Sequence, residues 1–284
     1  MVNAASFSNP TEARKGAPTT GSGPWTRYVA LGDSFTAGLG DPEPLNPGGM
    51  RGWADRIAEE FSAARQDFAY ANLAISGLVL QQIVDQQLAP AIALKPDLVT
   101  LSAGGNDLVF HRRDPDRLAA SLDEAVAALS ATGATVVLFT GPDWGDTPVF
   151  GHIRGKVAVF NENIRTIAAR HQGVIADLWT LRQLSDPRMW DPDRLHFSPL
   201  GHHTIASMVL DTLHVPHGLE PLQPKPLPAG NWRETRAGDL AWATHYLLPW
   251  MMQRVRPRPG NGPPAPKRPE PGPVFGWPGN AAHP

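Results

Sequence analysis

Residues 28–38 read YVALGDSFTAG and carry the clearest structural signal in the chain. The apolar run 28–31 is followed by a glycine, which is typical of a buried strand that leads into a turn. Ser34 therefore lies directly beyond that strand. A serine hydroxyl becomes a nucleophile when a base accepts its proton and a carboxylate orients that base. Far downstream, Asp193 and His196 supply an acid and an imidazole three residues apart. These groups can meet only through the fold, so together they form one candidate site.

Apolar runs of the same kind recur along the chain and predict the rest of a sheet. They lie at 28–32, 68–73, 97–102, 135–140 and 173–178. Helical patterns fall at 53–64, 78–89, 115–131, 153–171 and 199–213. Strands that alternate with helices favour parallel pairing, and continuously apolar strands favour a sheet covered on both faces. The prediction is an α/β protein with three α/β/α layers around a flavodoxin-like, five-stranded parallel sheet and a C-terminal helical extension.

Two further polar turns follow predicted strands. The run 98–107, LVTLSAGGND, presents Asn106 after a pair of glycines, and Gly77 follows the second strand. Ligands of open α/β sheets bind beyond the carboxyl ends of the strands, where Ser34, Gly77 and Asn106 are all predicted to lie. An asparagine amide or an unobstructed glycine N–H can stabilise an oxyanion. An ordinary turn is the alternative for Asn106, and a glycine at a helix entry is the alternative for Gly77.

In the order Ser34, Gly77, Asn106, His196, the chain resembles the SGNH hydrolases, also called the GDSL esterase/lipase family, over roughly residues 27–213. The resemblance implies a carboxylic ester hydrolase that works through a covalent acyl-enzyme without a cofactor. It implies that Ser34 is the nucleophile, that His196 is the base and that Asp193 orients it. The N–H groups of Ser34 and Gly77 and the side chain of Asn106 would form the oxyanion hole.

Other polar residues are weaker candidates. Asp177 ends the fifth predicted strand and competes with Asp193 as the orienting acid, although the spacing to His196 favours Asp193. Asp191, Asp193 and His196 could in principle hold a metal, but no second cluster has ligand spacing, so no metal site is expected. The remaining histidines are expected at the surface, at the rim of the site or in supporting positions: His111, His152, His202 and His203.

Composition limits the class of protein and its partners. The 284 residues are 42% apolar and 18% charged, which suits a soluble domain with a sizeable core. A net charge of −2 gives no global case for binding nucleic acid. Cysteine is absent, so a thiol nucleophile and disulfides are excluded. The first 26 residues contain no apolar signal-peptide core, which favours a cytoplasmic protein. We expect a monomer whose partner is a small-molecule ester.

Composition also predicts how the chain is divided. Residues 1–26 read as a disordered arm, and residues 27–214 as the hydrolase domain. Residues 215–256 combine a proline-rich connector with an amphipathic helix at 233–256, and residues 257–284 read as a disordered tail rich in Pro and Gly. The helix is expected to pack on the core. Attachment to a membrane surface is the alternative, because Trp, Met and Arg together suit an interface.

Three functions are consistent with this sequence. The first is a serine-dependent ester hydrolase, that is, an esterase, lipase or acylhydrolase. The second is a flavodoxin-like small-molecule binding protein without turnover, and the third is a lipase that contacts membranes through its C-terminal helix. The chain has neither the Gly-x-Ser-x-Gly elbow of the α/β-hydrolases nor a dinucleotide or phosphate loop. The acyl chain and the leaving group stay undetermined, because the loops around the site select them.

Overall fold

The computed structural model describes residues 24–145, 150–222 and 265–274. Within these residues a six-stranded sheet has the order β5-β4-β3-β1-β2-β6, and β1 to β5 are parallel. The strands are β1 (Arg27–Leu31), β2 (Ala69–Asn72), β3 (Leu98–Leu101), β4 (Thr135–Phe139), β5 (Val174–Ala176) and β6 (Arg268–Gly272). All five strands predicted from apolar runs are present, and the parallel α/β architecture is confirmed.

The helices connect the strands as the sequence pattern predicts. They are α1 (Ser34–Ala37), α2 (Gly52–Ala64), α3 (Leu80–Ile83), α4 (Ala89–Ala93), α5 (Gly105–Phe110), α6 (Pro115–Ser130), α7 (Arg154–Arg170) and α8 (Pro199–Thr212). A π-helical turn, Val84–Leu88, joins α3 to α4. At the start of α6, the side chain of Asp114 accepts hydrogen bonds from the N–H groups of Asp116 and Arg117, and Pro115 occupies the first turn.

The helices form layers on both faces of the sheet. On one face, α3, α4, α6 and α7 pack against side chains such as Val29, Val99 and Val136. On the other face, α2 and α8 pack against Tyr28, Tyr70 and other strand residues whose side chains point to that face. Alternate side chains of a strand point to opposite faces, so a sheet covered on both sides needs apolar residues at nearly every strand position.

The sixth strand corrects two predictions. The sheet has six strands and not five, and the additional strand β6 lies inside the segment 257–284 that was predicted to be disordered. It pairs antiparallel with β2, with Asn72 opposite Arg268 and Tyr70 opposite Gly272. Its two prolines are compatible with an edge strand, where an N–H facing away from the sheet is not needed. A high content of proline is therefore compatible with a strand at this position.

Other predicted segments lie wholly or largely outside the described residues. These are the arm 1–26, of which residues 24–26 are described, and the amphipathic helix 233–256. Of the connector, residues 215–222 are described. In the described part of the chain, no helix combines the length and the apolar character needed to cross a membrane.

Candidate active site

The site lies at the carboxyl edge of the sheet, where the order of the strands reverses. Strand β1 has β2 on one side and β3 on the other. The chain therefore goes from β1 to β2 in one direction and then crosses back past β1 to β3 in the other. Such a switch point leaves a crevice beyond the strand ends. Ser34 follows β1 as the first residue of α1, and Asn106 follows β3 in α5. The loop after β5 brings in Asp193 and His196.

Ser34, His196 and Asp193 form a continuous chain of hydrogen bonds. The Oγ of Ser34 lies 3.0 Å from Nε2 of His196, and Nδ1 of His196 lies 2.5 Å from Oδ2 of Asp193. The carboxylate accepts the proton on Nδ1, which leaves the lone pair of Nε2 facing the serine hydroxyl. His196 is 8% exposed, so little water competes for these contacts. The fold therefore unites the acid, the imidazole and the hydroxyl predicted from the sequence.

A tight turn presents the acid and the imidazole together. Oδ1 of Asp193 accepts the N–H groups of Leu195 and His196, both at 2.9 Å. Arg194, which directly follows Asp193, adopts a left-handed backbone conformation with φ 55°, which is uncommon for a residue with a large side chain. Burial alone would raise the pKa of Asp193, but the hydrogen bonds from His196 outweigh it and hold that pKa below its usual value. The acid therefore stays ionised while it orients the ring.

The serine turn, residues 32–38, is held by hydrogen bonds with the side chains of Asp33 and Asn72. Oδ1 of Asp33 accepts the N–H of Phe35 at 3.1 Å and so caps α1. Asn72 at the end of β2 donates from Nδ2 to the carbonyl of Thr36 at 2.9 Å. Asp33 thus has a structural role at the start of α1. Asn72 was not identified from the sequence, although a buried asparagine in an apolar strand is a signal that a polar partner is near.

Asn106 lies beside the serine turn, but both hydrogens of its amide nitrogen already have acceptors. Nδ2 donates to Oδ2 of Asp33 and to the carbonyl of Leu78, each at 2.9 Å. Leu78 directly follows Gly77, so the loop after β2 also reaches this point. Gly77 does not line the cavity described below. Ser34 and Asn106 therefore lie together in the fold. Gly77 is linked to this site only through the next residue, Leu78, whose carbonyl accepts the amide of Asn106.

The competing acid and the additional histidines lie elsewhere. Oδ2 of Asp177 pairs with Arg165 at 2.9 Å and its Oδ1 accepts the hydroxyl of Thr140 at 2.9 Å, so it does not orient His196. His202 is buried, with Nε2 2.9 Å from the carbonyl of Leu39. The other histidines are placed as follows: Nε2 of His203 lies 2.8 Å from the carbonyl of Glu220, while His111 and His152 are at least partly exposed.

An apolar cavity that is open to solvent lies beside Ser34 and His196. Two polar side chains in its wall are engaged by the protein itself. Thr140 donates to Asp177, and Asn161 exchanges two hydrogen bonds with the backbone of Gly141. The remaining wall is largely hydrophobic and includes Leu108, Val109, Phe110, Phe139, Trp144, Val157, Phe160, Ile164, Leu178, Trp190, Leu195 and Phe197. Such a wall suits a hydrocarbon group better than a hydroxylated one.

Solved structures share this fold. LAE5, an α/β hydrolase enzyme from the metagenome of Lake Arreo, Spain, superposes with a TM-score of 0.56 at 22% identity, over 68% of this chain and 96% of its own. TesA superposes with a TM-score of 0.55 at 22% identity, over 66% and 97%. Axe2, an acetylxylan esterase from Geobacillus stearothermophilus, gives 0.55 at 21% identity, over 68% and 95%. At identities this low, the superpositions establish a common architecture and nothing finer.

The family is established by sequence. The chain belongs to the GDSL-like lipase/acylhydrolase family, whose profile matches residues 30–204. Membership places the chain among the carboxylic ester hydrolases. A comparison with curated proteins finds no match.

Proposed function

We propose that this protein hydrolyses carboxylic esters through a covalent acyl-enzyme formed on Ser34. The observation that carries the proposal is the hydrogen-bond chain from Ser34 through His196 to Asp193, with distances of 3.0 and 2.5 Å. A hydroxyl, an imidazole and a partly buried carboxylate in this order form the arrangement that activates a serine for acyl transfer.

In the first half of the reaction, Nε2 of His196 takes the proton of Ser34 as Oγ attacks the ester carbonyl. The tetrahedral intermediate collapses when the same imidazole protonates the leaving alcohol, which departs and leaves an acyl ester on Ser34. Water then takes the place of the alcohol, gives its proton to His196 and attacks the acyl carbon. The acid is released and Ser34 recovers its proton. Asp193 keeps Nδ1 protonated and stabilises the imidazolium in both halves.

The developing oxyanion would be stabilised by the N–H groups of Ser34 and Gly77 and by Asn106. Because Nδ2 of Asn106 donates to Asp33 and to the carbonyl of Leu78, one of these hydrogens has to turn to the substrate oxygen. The Leu78 contact is the weaker of the two, since a hydrogen bond to a carboxylate is stronger than one to a neutral carbonyl. We therefore propose that the substrate oxygen replaces the carbonyl of Leu78 as an acceptor of Asn106.

The cavity supports an ester with an apolar acyl group. Two of its polar wall residues, Thr140 and Asn161, are already paired. Most of the other wall residues are apolar, so the wall offers few partners to sugar hydroxyls. A binding protein without turnover would have no use for an imidazole aligned on the serine hydroxyl, and the hydrogen-bond chain favours an enzyme over that alternative. A lipase that contacts membranes through residues 233–256 is a separate hypothesis, because those residues lie outside the described part of the chain.

The decisive experiment replaces the nucleophile. We expect purified protein to cleave p-nitrophenyl butanoate and to be labelled once per chain by a fluorophosphonate probe. Ser34→Ala removes the attacking oxygen, so both activities fall to background, a loss of about 10⁴-fold or more in kcat. Circular dichroism should show an unchanged fold.

Ser198→Ala is the matched control, because Ser198 caps α8 and donates to the carbonyl of Arg188 at 2.6 Å. It tests whether loss of another serine hydroxyl has the same effect. Turnover by Ser34→Ala at the rate of the unmodified protein would remove Ser34 from the mechanism. Binding of the probe without covalent labelling would favour the binding protein.

A further inference from the structure

Gln87 is a buried polar side chain that the proposed mechanism does not use. It is 1% exposed and lies in the π-helical turn, on the face that also buries Leu80, Ile83 and Ala91. Its amide makes two complementary hydrogen bonds to one residue's backbone: Nε2 donates to the carbonyl of Gly32 at 2.8 Å, and Oε1 accepts the N–H of Gly32 at 2.9 Å. This side chain pairs with Gly32 as a neighbouring strand would.

Gly32 is the first residue of the serine turn, two positions before Ser34, and it has little room to move. Its φ of 153° and its surroundings require glycine, because a Cβ there would lie 2.4 Å from Oγ1 of Thr36 and 2.8 Å from the carbonyl of Ser102. The carbonyl of Gly32 also accepts the N–H of Ile75 at 3.2 Å. The position of Gly32 therefore determines where α1 begins and where Ser34 lies.

The helical segment that carries Gln87 is also attached to the Asn106 side of the site. At its other end, the N–H of Leu80 donates to Oδ2 of Asp107 at 2.8 Å, and Asp107 directly follows Asn106. The carbonyl of Leu78, just before this segment, accepts the amide of Asn106. One segment, residues 80–93, thus fixes the serine turn through Gln87 and the Asn106 turn through Leu80.

The π-helical turn explains how Gln87 is held within an otherwise regular segment. Pro90 has no N–H and its ring would clash with the carbonyl four residues earlier, so an ordinary helix would end before it. The wider turn Val84–Leu88 carries the helical path to Pro90, which then lies in the first turn of α4. Turns of this type often occur at functional sites.

We propose that Gln87 is a positioning residue for the reaction: it holds Gly32, and through it the Ser34 hydroxyl and N–H, in register with the Asn106 turn. The inference rests on the proposed function of Ser34. Gln87 does not contact the reacting atoms. Its effect is to keep Oγ in line with Nε2 of His196 and to keep the Ser34 N–H directed at the substrate oxygen. A displacement of about 1 Å in such a geometry can cost about 100-fold in rate.

The first experiment compares Gln87→Leu with Gln86→Leu. Gln86 is the adjacent, exposed glutamine of the same π-helical turn, so its replacement controls for a change of propensity. For Gln87→Leu we expect kcat on p-nitrophenyl butanoate and the fluorophosphonate labelling rate to fall together by about 10- to 100-fold, with KM within about twofold and one label per chain retained. Gln86→Leu should match the unmodified protein.

The second variant, Gln87→Glu, keeps the shape and adds a proton switch. An ionised carboxylate accepts the N–H of Gly32 but repels its carbonyl, whereas a protonated carboxyl can make both bonds. The ratio of kcat for Gln87→Glu to that of the unmodified protein should therefore rise as the pH falls from about 8 to about 5, towards the range in which a glutamate takes up its proton. The same ratio for Gln87→Leu should not change with pH. This variant also answers the question if Gln87→Leu fails to fold.

The outcomes separate this inference from the function beneath it. If Ser34→Ala abolishes turnover while both Gln87 variants keep the unmodified kcat and labelling rate, Gln87 is a structural residue and the inference is overturned. A lower melting temperature with unchanged kcat overturns it in the same way. If Ser34→Ala retains turnover, the proposed function fails first, whatever the Gln87 variants do.

Discussion

At the scale of single residues, His202 illustrates how the core supports the serine turn. Nε2 of His202 donates to the carbonyl of Leu39, just beyond α1, at 2.9 Å. Nδ1 accepts the N–H of Trp53 in α2 at 3.2 Å. One neutral imidazole therefore bridges the turn that follows α1 and the start of α2. Protonation of Nδ1 would break the contact with Trp53.

We predict that this imidazole makes stability depend on pH. Burial lowers the pKa of His202 from 6.5 to about 4, against the opposing effects of Leu39 and Asp41. Between pH 6.5 and pH 4 the histidine of the unfolded chain binds a proton, whereas His202 of the folded chain does not. The stability that the neutral imidazole contributes is therefore fully present above pH 6.5 and is lost as the pH falls towards 4. The contribution lost between about pH 7 and pH 5 is about 2 kcal/mol.

Urea unfolding at about pH 7 and pH 5 measures this effect. His202→Gln keeps a donor and an acceptor but does not titrate. The difference in unfolding free energy between the two pH values should therefore be smaller in the variant by about 2 kcal/mol. Equal pH dependence in the two proteins would show that His202 titrates alike in the folded and unfolded states.

The residues of the site differ in how far sequence could locate them. Asp193 and His196 were predictable because their spacing allows one turn to present both, and that turn forms through local backbone contacts. The partners of Asn106 were not predictable, since Asp33 and Leu78 belong to other turns that meet only at the sheet edge. Gln87 gave a signal, a polar residue on an apolar helix face, but its partner Gly32 is 55 positions away.

At the scale of elements, hydrophobic periodicity predicted the strands and most helices because both faces of the sheet are covered. The helix predicted at 78–89 begins at Leu80 and its path continues to Ala93. A proline normally ends a helix, and no propensity argument indicates the π-helical turn that carries the chain to Pro90. Strand β6 was not predicted for a related reason, since its pairing with β2 comes from tertiary contacts and not from β-propensity.

Helices α5 and α7 form one wall of the cavity and should set the preferred acyl length. Phe160 of α7 packs where Gly104 precedes α5, and a Cβ at Gly104 would lie 2.6 Å from its ring. Each methylene buried in the cavity is worth about 0.8 kcal/mol, so kcat/KM should rise about fourfold per added carbon until the cavity is full. In Phe160→Ala we predict that this rise continues to longer acyl chains.

A series of p-nitrophenyl esters from acetate to dodecanoate measures the length at which kcat/KM stops rising. Val159→Ala is the control, because Val159 belongs to the same helix but is 48% exposed. The Phe160 variant should lose about 3–5 kcal/mol of stability, so its folded fraction has to be checked at the assay temperature. An unchanged preferred length in a folded variant would place the acyl group outside this cavity.

At the scale of the whole molecule, the segment 265–274 returns to the first half of the chain and covers the edge of β2. Arg268 packs its guanidinium over Tyr70, 5.7 Å from the ring centre. Lys267 donates to the carbonyl of Arg51 at 2.7 Å and to Oδ2 of Asp55 at 3.0 Å. Both side chains of the ion pair between Lys267 and Asp55 are buried, with 5% and 0% exposure.

The ion pair belongs to a polar network that reaches the serine turn. Oδ1 of Asp55 accepts the hydroxyl of Tyr70 at 2.8 Å, and this hydroxyl accepts Nδ2 of Asn72 at 2.9 Å. Asn72 in turn donates to the carbonyl of Thr36. Lys267 and Asp55, 212 positions apart, are therefore parts of one buried cluster. Removing any charged member leaves its partner without compensation in a place that water does not reach.

For Lys267→Met we predict a loss of about 3–5 kcal/mol in the free energy of unfolding, because the carboxylate of Asp55 stays buried without its cation. Combining it with Asp55→Asn removes both charges, so the double variant should lose less than the sum of the two single losses. Urea unfolding of the four proteins measures the coupling, and Glu270→Gln, at an exposed position of β6, controls for loss of a charge. If Lys267→Met unfolds within about 0.5 kcal/mol of the unmodified protein, residues 265–274 do not hold the sheet edge through this ion pair.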